Sequence, residues 1–481
     1  MPSMAPLRIG FAAVVRDAFK GDAATLTRRA SGALASDGPE LGYVLALAPE
    51  PVSDADAALR VGAWAASAQL DYLLILHATF ATGDLLAPLL RSVEQVGVWA
   101  VPEAEGLPLR RSGQRPEMRP LPLNSLCGLN MTLSLLDHPA VAKAEPVKWY
   151  WGAPGSQAFG RRWRPTLASL RGLRALRHAR VLQIGGTAPA FYRLEERPTL
   201  PGVRVDTIAL ADLYERMESV PEHEVQMRAT AWRTAEPLHH ASEDHLQVAA
   251  RTELALATLA AEGAYQALAL RCWPEFAEAC GGMACAAVGA MADRLVPTAC
   301  EGDVMGALSM LALQAVAAAP SALLDLSDLD PRRDRLLLWH CGNAPAAFAG
   351  KAGARLTTHF NRDGVGVVRD MHLAAGPATG FRLLAGGERA VIISGDLTEP
   401  SEPDVDGVRG WWGRLHWDGE QRTARDVVAQ LLDHRLPHHL ALVPGEHSDA
   451  VHELVTRLGG RVVPPARVRD ALISDAGVGD A

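Results

Sequence analysis

Five polar residues stand at the ends of apolar elements, where a charge is costly to bury unless something neutralises it. Glu301, in CEGDVMGAL, opens an apolar helical run. Asp325 ends the apolar run SALLDL, one helix and one strand further on. His340 closes the strand in LLLWHCGN, and the pair His438–His439 opens the strand in LPHHLALV. Two carboxylates with imidazole nitrogen, and no thiolate among them, suit a hard or borderline divalent ion: Mn²⁺, with Mg²⁺ and Co²⁺ as alternatives. Taken singly, each residue also has a plain structural explanation. Glu301 and Asp303 serve as first-turn acids favoured by a helix dipole, Asp325 as a turn residue, and His340 as a satisfied core histidine. Spacing by itself leaves both readings open.

The elements around these residues alternate. Leu7–Val15, Leu41–Leu47 and Tyr72–Leu76 read as strands, separated by helical stretches near Ala23–Ala35 and Ala57–Leu70. Such alternation indicates a parallel α/β sheet, which binds ligands at the C-terminal ends of its strands. His77 and Thr79 follow the third strand and are placed to line a crevice there, or simply to close the strand with a polar turn. The Pro- and Arg-rich stretch 102–122 reads as a loop or subdomain crossing, and Asn124–Leu136 as a helix. A second α/β unit follows, with strands in HARVLQIGG (178–186), GVRVDTIAL (202–210) and QALALRCWPEF (266–276) and a long helix over Glu243–Glu262. Gly185-Gly186 is only half of a nucleotide fingerprint, and no complete GxGxxG or P-loop accompanies it. From about Ser321, short apolar runs alternate with Gly, Pro and Asp turns roughly every ten residues, which favours a β-rich domain. The segment 436–465 reads as strand, helix, strand. The expected organisation is two parallel α/β domains, 1–175 and 176–320, then a β-rich domain, 321–481.

The chain has 481 residues, 48% of them hydrophobic and 21% charged, enough apolar material for several cores. The net charge of −8, with no Lys/Arg block, argues against a nucleic-acid partner. Six scattered cysteines without a CxxC pair argue against a disulfide framework or a structural zinc site, and fit a reducing cytoplasm. No long uncharged apolar stretch suggests a membrane span, and the N-terminus lacks the pattern of a secretory signal.

The motifs CEGDV (300–304), Asp325 followed by HCG (340–342), GPATGFRLL (376–384), ILHATFATGDLL (75–86) and the HH pair (438–439) occur in order across most of the chain. In this the chain resembles the L-fucose/L-arabinose isomerase family of metal-dependent aldose–ketose isomerases. The resemblance implies two Rossmann-like domains and a β-barrel-like third. It implies that Glu301, Asp325 and His439 ligate the metal, with His340 as a further ligand and His438 beside them at the substrate. It also implies that His77 and Thr79 line the sugar pocket of a neighbouring subunit, that Trp273 and Glu275 face the same pocket, and that trimers or hexamers carry sites at subunit interfaces. The expected chemistry is an ene-diol route in which Glu301 and Asp325 shuttle protons at C1 and C2. The chain is shorter than typical fucose isomerases, and HCGN follows the second acid. These departures point to a divergent branch acting on another pentose, a deoxyhexose or a substituted hexose. Arg382 and Arg409 are candidate guanidinium forks for an anionic substituent. The rival expectations are a non-catalytic sugar-binding protein on the same scaffold and a metal-dependent hydrolase or aldolase.

Overall fold

The computed structural model of the chain describes residues 5–103, 121–139, 141, 143, 146–401 and 404–464. Most of the stretch 102–122, and the tail after Ile473, lie outside the described residues. The chain folds as two compact units, with the division in the sequence between Leu170 and Arg171.

The first unit is built on five parallel strands: β1 (Leu7–Val14), β2 (Tyr43–Leu47), β3 (Tyr72–His77), β4 (Val96–Ala100) and β5 (Val147–Trp151), in the order β2-β1-β3-β4-β5. The apolar run YLLILH reads as continuous because β3 is buried along its whole length, as expected of a parallel strand covered on both faces. Helical crossovers return the chain between strands. The helix Ala55–Ser67 starts where the Asp54 carboxylate accepts the Ala57 N–H at 2.8 Å.

The second unit contains two sheets. One has β6 (Arg180–Ile184), β7 (Arg204–Ile208), β9 (Ala267–Leu270) and β10 (Thr298–Ala299), all parallel, in the order β10-β9-β6-β7. The short strand β8 (Leu238–His239) joins the other sheet instead. The long helix Glu243–Glu262 lies where its apolar spacing puts it, capped by Ser242.

The large sheet takes the rest of the chain: β11 (Ala322–Asp330), β12 (Arg335–His340), β13 (Arg355–Thr358), β14 (Val367–His372), β15 (Gly376–Leu384), β16 (Arg389–Leu397), β17 (Val408–Trp417), β18 (Glu420–Gln421), β19 (His439–Pro444) and β20 (Arg461–Val462). Six of these close on themselves. β11, β12, β17, β16, β15 and β19 pair in turn, all antiparallel, and β19 pairs back onto β11. Closure removes the exposed edges that an open sheet would have. The barrel packs Leu324, Leu338, Ile393, Trp412, Trp417 and Leu442 into one core. Trp412 and Trp417 of RGWWGRLHW are therefore barrel filling, and Trp417 donates its Nε1–H to the Val463 carbonyl at 2.8 Å.

The helix Val304–Ala317 links the two sheets. It is buried almost all round, packing on β6 and β9 of the parallel sheet and on β15 and β19 of the barrel. Its N-terminus thus brings the CEGDV motif to the barrel strands that carry Asp325 and His439. The fold is α/β, with two parallel sheets and a β-rich barrel, as the sequence leads one to expect. Among the described residues no helix is long and apolar enough to cross a membrane.

Candidate metal centre

Glu301 does not sit inside the helix. It occupies a tight turn before it, in the left-handed region at φ 62° and ψ 13°. The turn is held from β6 and the loop after it. The Ala188 N–H donates to the Glu301 carbonyl at 2.9 Å, and Gln183 Nε2 donates to the Gly302 carbonyl at 2.9 Å. Gly302 has φ 73°, and a Cβ there would lie 2.0 Å from the Gly186 carbonyl oxygen. Gly302 therefore lets the Glu301 turn come close to the backbone at Gly186, where Gly185 and Gly186 are both left-handed, at φ 80° and 74°.

The Glu301 carboxylate meets three rings. Trp273 Nε1–H donates to Oε1 at 3.3 Å, His438 Nε2–H donates to Oε2 at 3.2 Å, and His439 Nε2 stands 3.6 Å from Oε2. Burial works to raise the carboxyl pKa. The hydrogen bond from His438 and the neighbouring histidines outweigh it, and the group lies below its usual value. Phe191 packs edge-on to Trp273 at 5.5 Å and against His438 at 5.4 Å, completing an aromatic wall.

Asp325 and His439 face each other in register across β11 and β19. His439 Nε2 lies 3.7 Å from Asp325 Oδ1. The other nitrogen of His439, Nδ1, donates to Asp303 Oδ2 at 2.9 Å. A carboxylate accepts only, so the proton is on Nδ1 and the Nε2 lone pair is free. Asp303 caps the helix through the Gly306 N–H at 2.8 Å and takes both Nη atoms of Arg382. Burial works to raise the Asp303 carboxyl pKa, but Arg382 and His439 hold it well below the usual carboxylate range. Gly306 leaves room for this pair, since a Cβ there would meet Asp303 Oδ2 and Arg382 Nη1.

Several buried polar atoms converge here without a protein partner. Asp325 Oδ1, His439 Nε2 and His340 Nε2 are all buried and unbonded. Asp325, His340 and His439 form one cluster of possible ligands; Glu301, His438 and His439 form another, with His439 common to both. A divalent ion about 2.0–2.2 Å from its oxygen and nitrogen donors separates them by roughly 3–4 Å, and the 3.6 and 3.7 Å separations around His439 Nε2 match. The carboxylate and imidazole donors of these two clusters, which share His439, are of the kind that suits a hard or borderline ion. His340 differs. Its Nδ1 accepts the Cys341 N–H at 2.9 Å, which places the proton of the neutral ring on Nε2.

Trp273 joins the centre directly. Glu275 pairs with Arg271 at 3.3 Å. Arg382, expected at the sugar, is 2% exposed and held by Asp303, so it reaches the centre only through that carboxylate. Arg409 is likewise buried, paired with Asp370 and Asp404. In the first unit, His77 and Thr79 are fully buried. His77 Nε2 is bonded to Thr132 Oγ1 at 2.7 Å and Nδ1 to the Thr79 carbonyl at 3.3 Å. Thr79 Oγ1 accepts the Arg16 N–H at 2.7 Å. Both side chains are thus engaged inside their own unit.

Two features had no role assigned from sequence. Asp303 reads as a first-turn acid, although a buried arginine in the apolar run GFRLL calls for a carboxylate. The cysteines, scattered in sequence, are partly gathered in space: Cys285 and Cys341 lie with Sγ atoms 3.5 Å apart, next to His359.

No family model matches the chain. It is similar to the sulfoquinovose isomerase of Alkalicoccus urumqiensis, at 28% identity over 93% of this chain and 96% of the relative. It is also similar to the sulfoquinovose isomerases of Priestia aryabhattai and Priestia megaterium, each at 26% identity over 80% of this chain and 83% of the relative. Likeness of this breadth supports an aldose–ketose isomerase.

Proposed function

We propose that the protein is a metal-dependent aldose–ketose isomerase of the L-fucose/L-arabinose isomerase type, with a sulfonated hexose as substrate. The observation that carries the metal reading is the convergence of Asp325 Oδ1 and His439 Nε2, buried and unpartnered, beside Glu301 Oε2. The substrate class follows the names of the relatives.

Glu301, Asp325 and His439 would hold the ion, Mn²⁺ or alternatively Mg²⁺ or Co²⁺. A bound divalent ion polarises the sugar carbonyl and lowers the pKa of the adjacent hydroxyl. The chain's own residues do the rest. Asp303 fixes the His439 tautomer and orientation, and Arg382 keeps Asp303 ionised. Glu301 and Asp325 are the two carboxylates able to carry a proton between C2 and the C1 end through an ene-diol. His438, bonded to Glu301, keeps that carboxylate ionised and oriented. His340 presents Nε2–H as a donor to a sugar oxygen. The Trp273–Phe191 wall offers a face to the sugar's CH groups and excludes water. Assembly as a trimer or hexamer with sites at subunit interfaces belongs to the same proposal; light scattering tests it.

The test is turnover and C2 proton exchange by Glu301→Gln and Asp325→Asn with Mn²⁺ present. Loss of a positioned proton-transfer group lowers the rate by roughly 10²–10⁴-fold. Wild-type turnover in either variant would remove that residue from the mechanism. A change in product mass would favour a hydrolase or aldolase, and binding without exchange a sugar-binding protein.

A further inference from the structure

A sugar carrying an anion needs a cation, and the two forks suggested by sequence are consumed. Arg382 is held by Asp303, and Arg409 by Asp370 and Asp404. Arg271, near the aromatic wall in sequence, pairs with Glu275. Arg362 is different. It is exposed, in the loop between β13 and β14, and among the described residues no hydrogen bond or ion pair engages its guanidinium. Its contact is with an aromatic face: the guanidinium carbon lies 5.2 Å from the centroid of the Trp273 ring.

That indole is also the one that touches the centre. Its edge donates Nε1–H to Glu301 while its face carries Arg362. One ring therefore separates the proton-carrying carboxylate from a free guanidinium. Carbons 1 and 2 of a sugar engaged at Glu301 would leave the far end of the chain to run along Trp273 toward Arg362.

The loop that carries Arg362 is anchored. His359 and Gly366 are hydrogen-bonded (N–H to carbonyl, 3.2 Å), Gly364 donates back to the His359 carbonyl at 3.2 Å, and Val365 donates to the Arg362 carbonyl at 2.9 Å. Gly366, at φ 94°, lies so close to Met283 that a Cβ would stand 2.5 Å from the Met283 nitrogen. A held loop loses less entropy on binding than a free one.

We infer that Arg362, carried on the face of Trp273, is the anion subsite of the sugar pocket, selecting a hexose with a sulfonate on the carbon farthest from the reacting pair. The inference rests on the isomerase reading of the centre and adds to it the residue that sets substrate class. Any tetrahedral oxyanion shares the chemistry of a guanidinium partner. A monoanionic sulfonate fits better than a phosphate dianion, because a single guanidinium faces a site that already holds the carboxylates of Glu301 and Asp325.

The test is calorimetric binding to the Mn²⁺-loaded full chain of 6-deoxy-6-sulfoglucose, glucose 6-phosphate and glucose, with the wild type, Arg362→Ala and Arg362→Lys. The wild type binds the sulfonated sugar tightest. Arg362→Ala lowers the ratio of sulfonated to plain sugar affinity by on the order of ten- to a hundredfold, the worth of a charge-assisted hydrogen-bonded contact. Arg362→Lys keeps part of the ratio, as a point charge without the fork. An unchanged ratio in Arg362→Ala, no sulfonate preference in the wild type, or a preference for phosphate over sulfonate overturns the inference. C2 proton exchange on the same samples judges the isomerase reading separately: lost exchange with the preference intact strikes the mechanism and not the subsite.

Discussion

His77 and His439 are both buried histidines at the end of an apolar strand, one closing β3 and the other opening β19. The fold treats them oppositely. In the first unit both His77 nitrogens are taken, by Thr132 and by the Thr79 carbonyl, and burial pushes the imidazole pKa down to about 4. In the second unit His439 is tied on one side to Asp303, while its Nε2 meets two carboxylates and no hydrogen-bond partner. Burial and residue type are the same in the two cases. What separates a structural histidine from a ligand is whether the second nitrogen has been satisfied, since an orphaned buried polar atom is costly unless something binds it.

The largest expected effect comes from removing the orphaned nitrogen. His439→Ala should abolish stoichiometric Mn²⁺ binding, read by metal analysis after desalting, whereas His77→Asn should leave the metal content unchanged. Loss of metal in both would collapse the comparison. The next effect concerns acid. The His77 pKa falls from 6.5 to about 4 on folding. The neutral ring is thus favoured in the folded state, and its stabilisation is present above pH 6.5. It is lost as pH falls from 6.5 toward 4, because the unfolded chain then binds the extra proton. The full shift is worth about 3 kcal/mol. Urea denaturation across that range should show the first unit weakening, and His77→Asn should flatten the dependence. A wild-type stability independent of pH there would contradict the buried neutral ring. The smallest effect lies one shell out. Asp303→Asn keeps a hydrogen-bond acceptor but removes the charge behind His439, and should weaken Mn²⁺ by roughly 10–100-fold in chelator competition. An unchanged affinity would leave Asp303 only its role as a helix cap.

Much of this contrast was legible in the residues, and its limits are physical. The run YLLILH announces a buried parallel strand because both faces are covered, and the helix over Glu243–Glu262 shows its own period and cap. The strands of the barrel show through their turns. Their closure does not, because β11 pairs with β19 and β16 with β17 through contacts that no local pattern encodes. Glu301, Asp325 and His439 stand out as polar residues at apolar ends. Asp303 does not, because its partner Arg382 lies 79 residues away and a carboxylate at a helix start has an ordinary use. For the same reason the free arginine, Arg362, was hidden among many. The structure shows that Arg382 and Arg409 are taken by buried acids, and that Arg362 is the one of the three that rests on Trp273.

The most direct test of the central claim is proton exchange at sugar C2, followed by NMR in D₂O on the full chain with Mn²⁺ and a sulfonated hexose. The aldose should lose its C2 proton and one deuterium should enter at C1 of the ketose, and the aldose that re-forms from the ketose should carry deuterium at C2. The exchange should stop on chelation, return with Mn²⁺ and be absent from His439→Ala. Exchange that survives chelation, or that His439→Ala retains, would contradict a metal-assisted isomerase built on Glu301, Asp325 and His439.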